Sequence, residues 1–516
     1  MAIQINVLDY LEKSAALVPD KVAFSDENRF LTFGQLLHDA RAVGSCLAKT
    51  SDTLRRPVAV LVDRTAVSIT ACMGALYSGA FYVPIDVEMP VQRIDAILQE
   101  LSPVALLHAE KDAGLVSSLG FAGRVLTIEA AAGSDIDERI LGQIRDKMID
   151  QDPVYVIFTS GSTGVPKGIV INHRGVIDLT EWLTDTFAFN EVDVLGNQTP
   201  FYFDASVKDI YLTLKCGLTT HILAKKLFMF PIKLIEELNN RQVTAILWAT
   251  SAINLVANSR VLAKKIPETV QKVFCAGEAM SGKALNTWKA GLPGAMYVNL
   301  YGPTEITVDC SYYIVDRDFA EDEQVPIGRA CRNMEILLLD EEMRPVSLGE
   351  VGEICVRGIG VSPGYYGDAE KTAAAFVQNP LNNNYRDIIY RTGDLARIDE
   401  RGLLVFASRK DNQIKHMGNR IELGEIETAI NALEMVDAAI CFYDHDKGKI
   451  VMVYEGPEAD SAAVLKKLSD KLPKYMFPNI VYRVDEMPYN RNGKIDRVQL
   501  KEQYSHGAFK GAKPTE

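Results

Sequence analysis

The chain has 516 residues, of which 47% are hydrophobic and 24% charged, and its formal net charge is −13. That length is too great for one hydrophobic core, so two or more domains are expected. The acidic balance argues against nucleic acid as a partner, whose usual footprint is a basic face, and no apolar run is long enough for membrane insertion. The cysteines are scattered without a C-x-x-C pair and the histidines form no H-x-x-x-H pair. This pattern reads as reduced thiols in a cytoplasmic protein, not as a disulfide framework or a zinc site. Met1 to Asp9 has no basic stretch leading into an apolar one, so no signal peptide is expected.

Apolar spacing predicts helices over 7–18 and 31–47. A buried strand over 57–62, a helix over 66–79 and a strand over 81–86 follow, which is the rhythm of a parallel α/β sheet. The stretches 104–108, 244–249 and 272–277 repeat the strand pattern. Another short apolar run, 154–158, leads into Thr159-Ser160-Gly161-Ser162-Thr163-Gly164-Val165-Pro166-Lys167-Gly168. Glycines let a backbone approach a ligand closely, successive N–H groups can wrap an anion, and the lysine adds a mobile positive charge. This is phosphate-loop chemistry, but not a Walker A loop, because Pro166 stands where that motif needs glycine. After Met334 the pattern changes to strands with turns, so a β-rich subdomain is expected to close the large domain. A boundary is expected near 408–412, giving domains 1–410 and 411–516. Beyond it the spacing predicts a helix over 422–433, a hairpin turning at 444–448, a helix over 462–476 and a frayed tail from His506.

Other stretches carry chemistry that is weak taken singly. Tyr301-Gly302-Pro303-Thr304-Glu305 follows a predicted strand over 296–300. Its tyrosine could stack on an adenine ring and its glutamate could hold Mg²⁺, although alone it is a turn opening a helix. Asp394, in Tyr390-Arg391-Thr392-Gly393-Asp394, could be an ordinary hairpin-turn aspartate. Asp204, in Phe203-Asp204-Ala205-Ser206, could be the N-cap of a helix over 205–214. Lys494, in Asn490-Arg491-Asn492-Gly493-Lys494-Ile495-Asp496, would by itself be a solvated lysine in a polar turn. Ser408 to Lys415 and Gly418 to Glu427 complete the series.

In this order the stretches resemble the signatures of the adenylate-forming superfamily, which includes acyl-CoA synthetases, luciferases and the adenylation domains of nonribosomal peptide synthetases. The resemblance covers nearly the whole chain. It implies an α/β fold, with a large N-terminal domain of α/β subdomains plus a β-rich subdomain, and a small mobile α+β C-terminal lid. It implies ATP and Mg²⁺ as cofactors. Thr159, Ser160, Gly161, Ser162, Thr163, Gly164 and Lys167 would hold the phosphates. Gly277, Asn299, Leu300, Tyr301 and Gly302 would surround the adenosine, with Asn299 at the adenine edge. Asp394 would accept from both ribose hydroxyls, with Arg409 nearby. Thr304 and Glu305 would be catalytic, with Glu305 on Mg²⁺. Asp411 would be the hinge, and Lys494 would bridge the substrate carboxylate and the α-phosphate. His416-Met417 departs from the usual residues of the loop after the hinge, which puts that loop's acceptor contacts in doubt.

Phe203-Asp204-Ala205-Ser206 resembles the pocket motif of the amino-acid-activating branch, in which the aspartate pairs with the substrate α-ammonium. By the same resemblance the pocket continues with Lys208, Leu247, Phe274, Ala276, Leu300, Val308 and Asp309. Lys208 and Asp309 either neutralise each other or read a polar substrate side chain, as in some members that activate glutamate or glutamine. D-Alanine–carrier protein ligases tend to have Phe-Cys-Gly-Glu where this chain has Phe274-Cys275-Ala276-Gly277-Glu278, which puts D-alanine in doubt. No carrier domain is expected after Arg497 and no condensation domain before Met1. The expected activity is therefore ATP-dependent activation of an amino acid, then transfer to the phosphopantetheine thiol of a separate carrier protein. The alternative is an acyl-CoA synthetase using free coenzyme A.

Overall fold

Strands buried on both faces build the first sheet of the structure, a computed structural model that describes residues 4–160, 166–321, 323–410, 413–456, 461–489 and 495–509. Pro57–Val62 and Phe81–Asp86 are buried at every residue and pair in parallel. Such continuous burial is the mark of a parallel sheet covered on both sides. The Ala66–Tyr77 helix connects them. Five further strands, Ala105–His108, Arg124–Thr127, Pro153–Thr159, Lys167–Asn172 and Gly364–Tyr365, complete a seven-stranded sheet.

A second, nine-stranded sheet runs in spatial order Arg329–Ala330, Ser311–Ile314, Met296–Tyr301, Lys272–Ala276, Ala245–Ala249, Val194–Asn197, Thr219–Ile222, Val22–Ser25, Phe30–Thr32. Its middle strands are parallel and in register, with Leu247 opposite Phe274 and Ala276 opposite Leu300. Side chains alternate along a strand, so these four share one face. Val273, Cys275 and Trp248 lie on the other, packed in a separate core with Trp288 and Ile253. Loops leaving the carboxyl ends of such strands are where ligands of parallel α/β proteins bind. The strands expected after Met334 form an antiparallel five-stranded sheet of Met334–Leu339, Gly352–Gly358, Ile388–Ile398, Phe376–Gln378 and Leu404–Arg409.

The chain divides into two units, one of residues 1–87, 100–157 and 168–410, the other of 88–99, 158–167 and 411–516. The second unit holds the hairpin Gln413–His416/Asn419–Glu422, the Leu423–Asn431 helix and a three-stranded sheet of Ala438–Asp444, Lys449–Glu455 and Ile480–Val484. Cys441, Met452 and Tyr454 face a core with Ile426, Ile430 and Leu468, while Ile440, Phe442 and Val451 face another with Leu500. Among the described residues no helix is long and apolar enough to cross a membrane.

Two predicted boundaries move. Phe30–Thr32 is a strand paired with Val22–Ser25, and the helix starts at Phe33. Thr32 caps it in a reciprocal pair with Gln35, a capping box visible in the spacing of those residues. The helix expected over 462–476 ends at Leu468, and Lys474–Met476 is a separate single turn. Pro473 explains the break, since it lacks an N–H and restricts the residue before it.

His173 opens the His173–Phe187 helix, fully buried, and its Nδ1 accepts the Val7 N–H at 3.3 Å. Burial holds the ring neutral, pulling its pKa down to about 3. The unfolded chain takes up the proton near pH 6.5, so it binds more protons than the folded chain between the two values. The contribution of the neutral ring is complete above about pH 6.5 and lost as pH falls towards about 3. In thermal melts the stability advantage of the wild type over His173→Asn is therefore expected to narrow as pH falls from about 7 to about 4.

Candidate active site

The loop that follows the Met296–Tyr301 strand has an unusual backbone. Thr304–Ile306 makes one 3-10 turn, and then Thr307 and Val308 take φ of 59° and 74°. Left-handed conformations are costly for β-branched residues and persist where surrounding structure imposes them. The Asp309 N–H donates to the Thr307 carbonyl at 3.0 Å, closing a γ-turn over Val308 of the strained, positive-φ kind. Two contacts hold it. The Thr307 hydroxyl donates to the Gly360 carbonyl at 2.7 Å. Gly302 lies directly beneath, where a Cβ would meet the Val308 carbonyl oxygen at 2.3 Å and the Asp309 Cα at 2.7 Å. Gly302→Ala must push the γ-turn away, and is expected to lower stability by about 1–3 kcal/mol and to impair activity, read by melts and pyrophosphate exchange on the same preparation.

Tyr301 is the last residue of its strand, and its hydroxyl donates to Asp394 Oδ2 at 2.6 Å. Burial first, then the Asp394 charge, hold the Tyr301 pKa well above the usual phenol value, so it remains a donor. Asp394 sits inside the Ile388–Ile398 strand, not in a hairpin turn, and its other oxygen accepts from Arg409. Each carboxylate oxygen has two lone pairs. These two partners therefore leave acceptor capacity on both oxygens, which suits a pair of ribose hydroxyls. Asn299 is buried, and its amide donates to the Pro326 carbonyl at 2.9 Å and accepts the Cys275 thiol at 3.5 Å. Gly277 follows the Lys272–Ala276 strand at φ 97° with open space where a Cβ would stand.

Glu305 is fully buried, and its Oε1 accepts the Tyr365 hydroxyl at 3.0 Å. Its backbone carbonyl accepts the Ser362 N–H at 2.8 Å, so both ends of the residue are anchored. A fixed carboxylate oxygen suits Mg²⁺. Among the described residues no cluster of three or more His, Cys, Asp or Glu could cage a metal. A Mg²⁺ held by Glu305 would take its other ligands from phosphate and water, as that ion usually does. In the second unit, the Thr159 hydroxyl is buried with no hydrogen-bond partner among the described residues, an arrangement that favours an arriving acceptor such as phosphate. The Ser160 hydroxyl donates to the Arg420 carbonyl at 2.8 Å and accepts the Glu422 N–H at 3.1 Å. Gly161, Ser162, Thr163, Gly164, Asp411 and Lys494 lie outside the described residues.

On the other side of the loop, the Ser206–Cys216 helix opens at Ala205 with φ −59° and no side-chain cap. Asp204 is therefore not its N-cap. The Thr304 side chain and the Ala205 N–H instead lie near its carboxylate and favour its charged form. Burial pushes the Asp204 pKa up and the nearby Asp309 adds to this, while Thr304 and Lys208 pull it down. A cation arriving beside it would stabilise the charged form. Lys208 and Asp309 form an ion pair at 2.9 Å, with side chains 2% and 1% exposed. They thus neutralise each other. Leu247, Phe274, Leu300 and Val308 share one core with Ala205 and Ala276 packed against it, and the Phe203 ring lies 4.8 Å from that of Tyr202. Tyr365, which fixes Glu305, and Thr307, which fixes the γ-turn, had no distinguishing signal in the sequence.

Residues 11–366 match the model of the AMP-binding enzyme family, and residues 425–494 that of the AMP-binding enzyme C-terminal domain. Tyrocidine synthase 1 of Brevibacillus parabrevis is 32% identical over 501 residues, an alignment that covers 96% of this chain and 45% of that protein. The chain thus spans about half the length of that relative. D-alanine–D-alanyl carrier protein ligase of Bacillus licheniformis is 32% identical over 515 residues, covering 97% of this chain and 99% of the ligase. A solved structure of an NRPS protein containing adenylation and PCP domains, bound to a vinylsulfonamide inhibitor, has a TM-score of 0.80 at 25% identity, over 96% of this chain and 84% of that one. With a family model spanning 11–366 and a relative aligned over almost its whole length, the chain belongs to the AMP-binding enzyme family of adenylate-forming ligases.

Proposed function

We propose that the chain activates an α-amino acid as its aminoacyl-adenylate, releasing pyrophosphate, and then passes the aminoacyl group to the phosphopantetheine thiol of a separate carrier protein. One observation carries this reading: the half-buried Asp204 carboxylate, its pKa raised by burial, lies near Thr304 and Lys208 just ahead of the Ser206–Cys216 helix, which it does not cap. A carboxylate partly withdrawn from water is stabilised in its charged form by a cationic partner, and the α-ammonium of an amino acid is one. Fatty and aryl acids have none. The names of the two similar proteins that mention carrier or PCP domains support the second step.

In the first step a substrate carboxylate oxygen attacks the α-phosphorus and pyrophosphate leaves. Such chemistry rests on positioning and on charge stabilisation. Asp204 holds the ammonium, Asp394 the ribose, and Thr159, Ser160, Thr163 and Lys167 the leaving pyrophosphate. Lys494 bridges the carboxylate and the α-phosphate, while Thr304 orients Asp204. Mg²⁺ when bound neutralises phosphate charge, with Glu305 as its protein ligand. In the second step the carrier thiol attacks the acyl carbon and AMP leaves, so no protein nucleophile is needed. The region 411–516 moves as a lid about Asp411 between the steps, in the cytoplasm, where ATP is supplied.

The test is to incubate the chain with ATP and an activated amino acid in the presence of either a phosphopantetheinylated carrier protein or free coenzyme A. Thioester on the carrier supports the reading. Thioester on coenzyme A at equal or greater rate makes the chain an acyl-CoA synthetase instead.

A further inference from the structure

Asp209 is a fully buried carboxyl that neither half-reaction uses. It stands on the Ser206–Cys216 helix, and its Oδ2 accepts from Asn197 Nδ2 at 2.7 Å. The same Asn197 amide donates to the Thr199 carbonyl at 3.1 Å. Asp209 Oδ1 and the Thr199 hydroxyl have no hydrogen-bond partner among the described residues. A half-satisfied buried carboxyl is unfavourable, so what it fixes matters.

It fixes the segment that carries Asp204. Asn197 ends its strand, and the chain then runs through Thr199 and Phe203 to Asp204 and the helix. The Asn197–Asp209 bond closes this run into a loop, with Asp204 between its two anchors. Arg64 holds the strand side of the loop. It donates to the Asn197 carbonyl and to the Leu223 carbonyl, each at 3.1 Å, and also to the Gln198 carbonyl. The Gln198 side chain accepts the Ala249 N–H at 3.2 Å. The strand side is therefore held by several bonds, and the helix side by Asp209. We infer that Asp209 is a positioning residue which, through Asn197, sets the place of the Asp204 carboxylate and with it the affinity for the amino acid. This inference rests on the substrate reading given above.

The charged groups facing Asp209 are Lys208 on its own helix and Arg64. Burial outweighs both and the Asn197 hydrogen bond, pushing the Asp209 pKa up to about 7. The folded chain therefore keeps a proton that the unfolded chain releases near pH 4. The associated stability is complete below about pH 4 and lost as pH rises to about 7. Burial alone gives this profile, so the positioning role is read from the amino-acid KM set against the ATP KM.

The experiment compares Asp209→Ala, Asp209→Asn, Asn197→Ala and Asp204→Asn by pyrophosphate exchange, with thermal melts across pH. Asp209→Ala and Asn197→Ala are expected to raise the amino-acid KM roughly tenfold and leave the ATP KM in place. Asp209→Asn keeps an acceptor oxygen for Asn197 and should retain most of the affinity. Relative to Asp209→Asn, the wild type should lose melting temperature as pH rises from about 4 to about 7. If Asp209→Ala fails to fold, Asn197→Ala and Asp209→Asn still give the KM comparison and the pH profile. The inference is overturned if both KM values move together, if neither moves, or if Asp209→Asn is as impaired as Asp209→Ala. An unchanged amino-acid KM in Asp204→Asn removes the substrate reading itself. A raised KM there with none in Asp209→Ala removes only the role of Asp209.

Discussion

Replacing Asp204 with asparagine is expected to raise the KM for the amino acid by roughly thirtyfold or more while the KM for ATP barely changes. The magnitude follows from removing one partner of a desolvated charge pair, which costs about 2–5 kcal/mol, at about 1.4 kcal/mol per factor of ten. Asparagine is the right replacement because it is isosteric and keeps an acceptor oxygen. Only the charge is lost. The carboxylate is not a helix cap, since the Ser206–Cys216 helix opens at Ala205 without one. A purely structural loss of the kind expected at a cap is therefore not available to explain a change. Kinetics measured with the amino acid and with ATP varied in turn check it. An amino-acid KM equal to that of the wild type would mean that no ammonium is held there.

The second large effect concerns the buried pair Lys208–Asp309. With both side chains almost fully enclosed, Lys208→Met or Asp309→Leu alone strands a charge out of water and should cost about 3–5 kcal/mol. Melting temperature and exchange with every amino acid should fall together. The double variant Lys208→Met/Asp309→Leu should recover most of the stability, because replacing a buried pair by apolar groups is often neutral. If the pair borders the proposed substrate site, the preference in an amino-acid panel is expected to shift towards apolar side chains. A double variant that keeps the wild-type order of preference would show that the pair only neutralises itself. Singles as stable as the wild type would contradict the enclosed pair.

Much of the frame could be seen in the chain before its coordinates. Runs such as 57–62 and 81–86 are apolar throughout because both faces of a parallel sheet are covered, and this pattern survives in one dimension. The register that brings Leu247, Phe274, Ala276 and Leu300 to one face is the same regularity. What stayed hidden are features made by distant partners or by backbone shape. Tyr365 anchors Glu305 from a strand of the other large sheet, and nothing in its neighbours marks it. Thr307 and Val308 adopt positive φ without being glycine or asparagine, so residue type gave no warning. Gly302, which makes room for them, was visible only as part of a motif. Asp394 looked like a turn residue because Gly393 precedes it, yet Gly393 takes φ 73° within the strand's irregular pairing. Asp209 reads as any polar residue on a helix until Asn197 and Arg64 are placed around it.

The measurement that bears most directly on the central claim is pyrophosphate exchange with a panel of L- and D-α-amino acids, each paired with the carboxylic acid that lacks only the α-amino group. The account predicts exchange that depends on at least one amino acid and collapses with its des-amino partner, because Asp204 then faces no cation. Equal exchange with the two partners, or exchange with simple carboxylic acids and none with any amino acid, would contradict it.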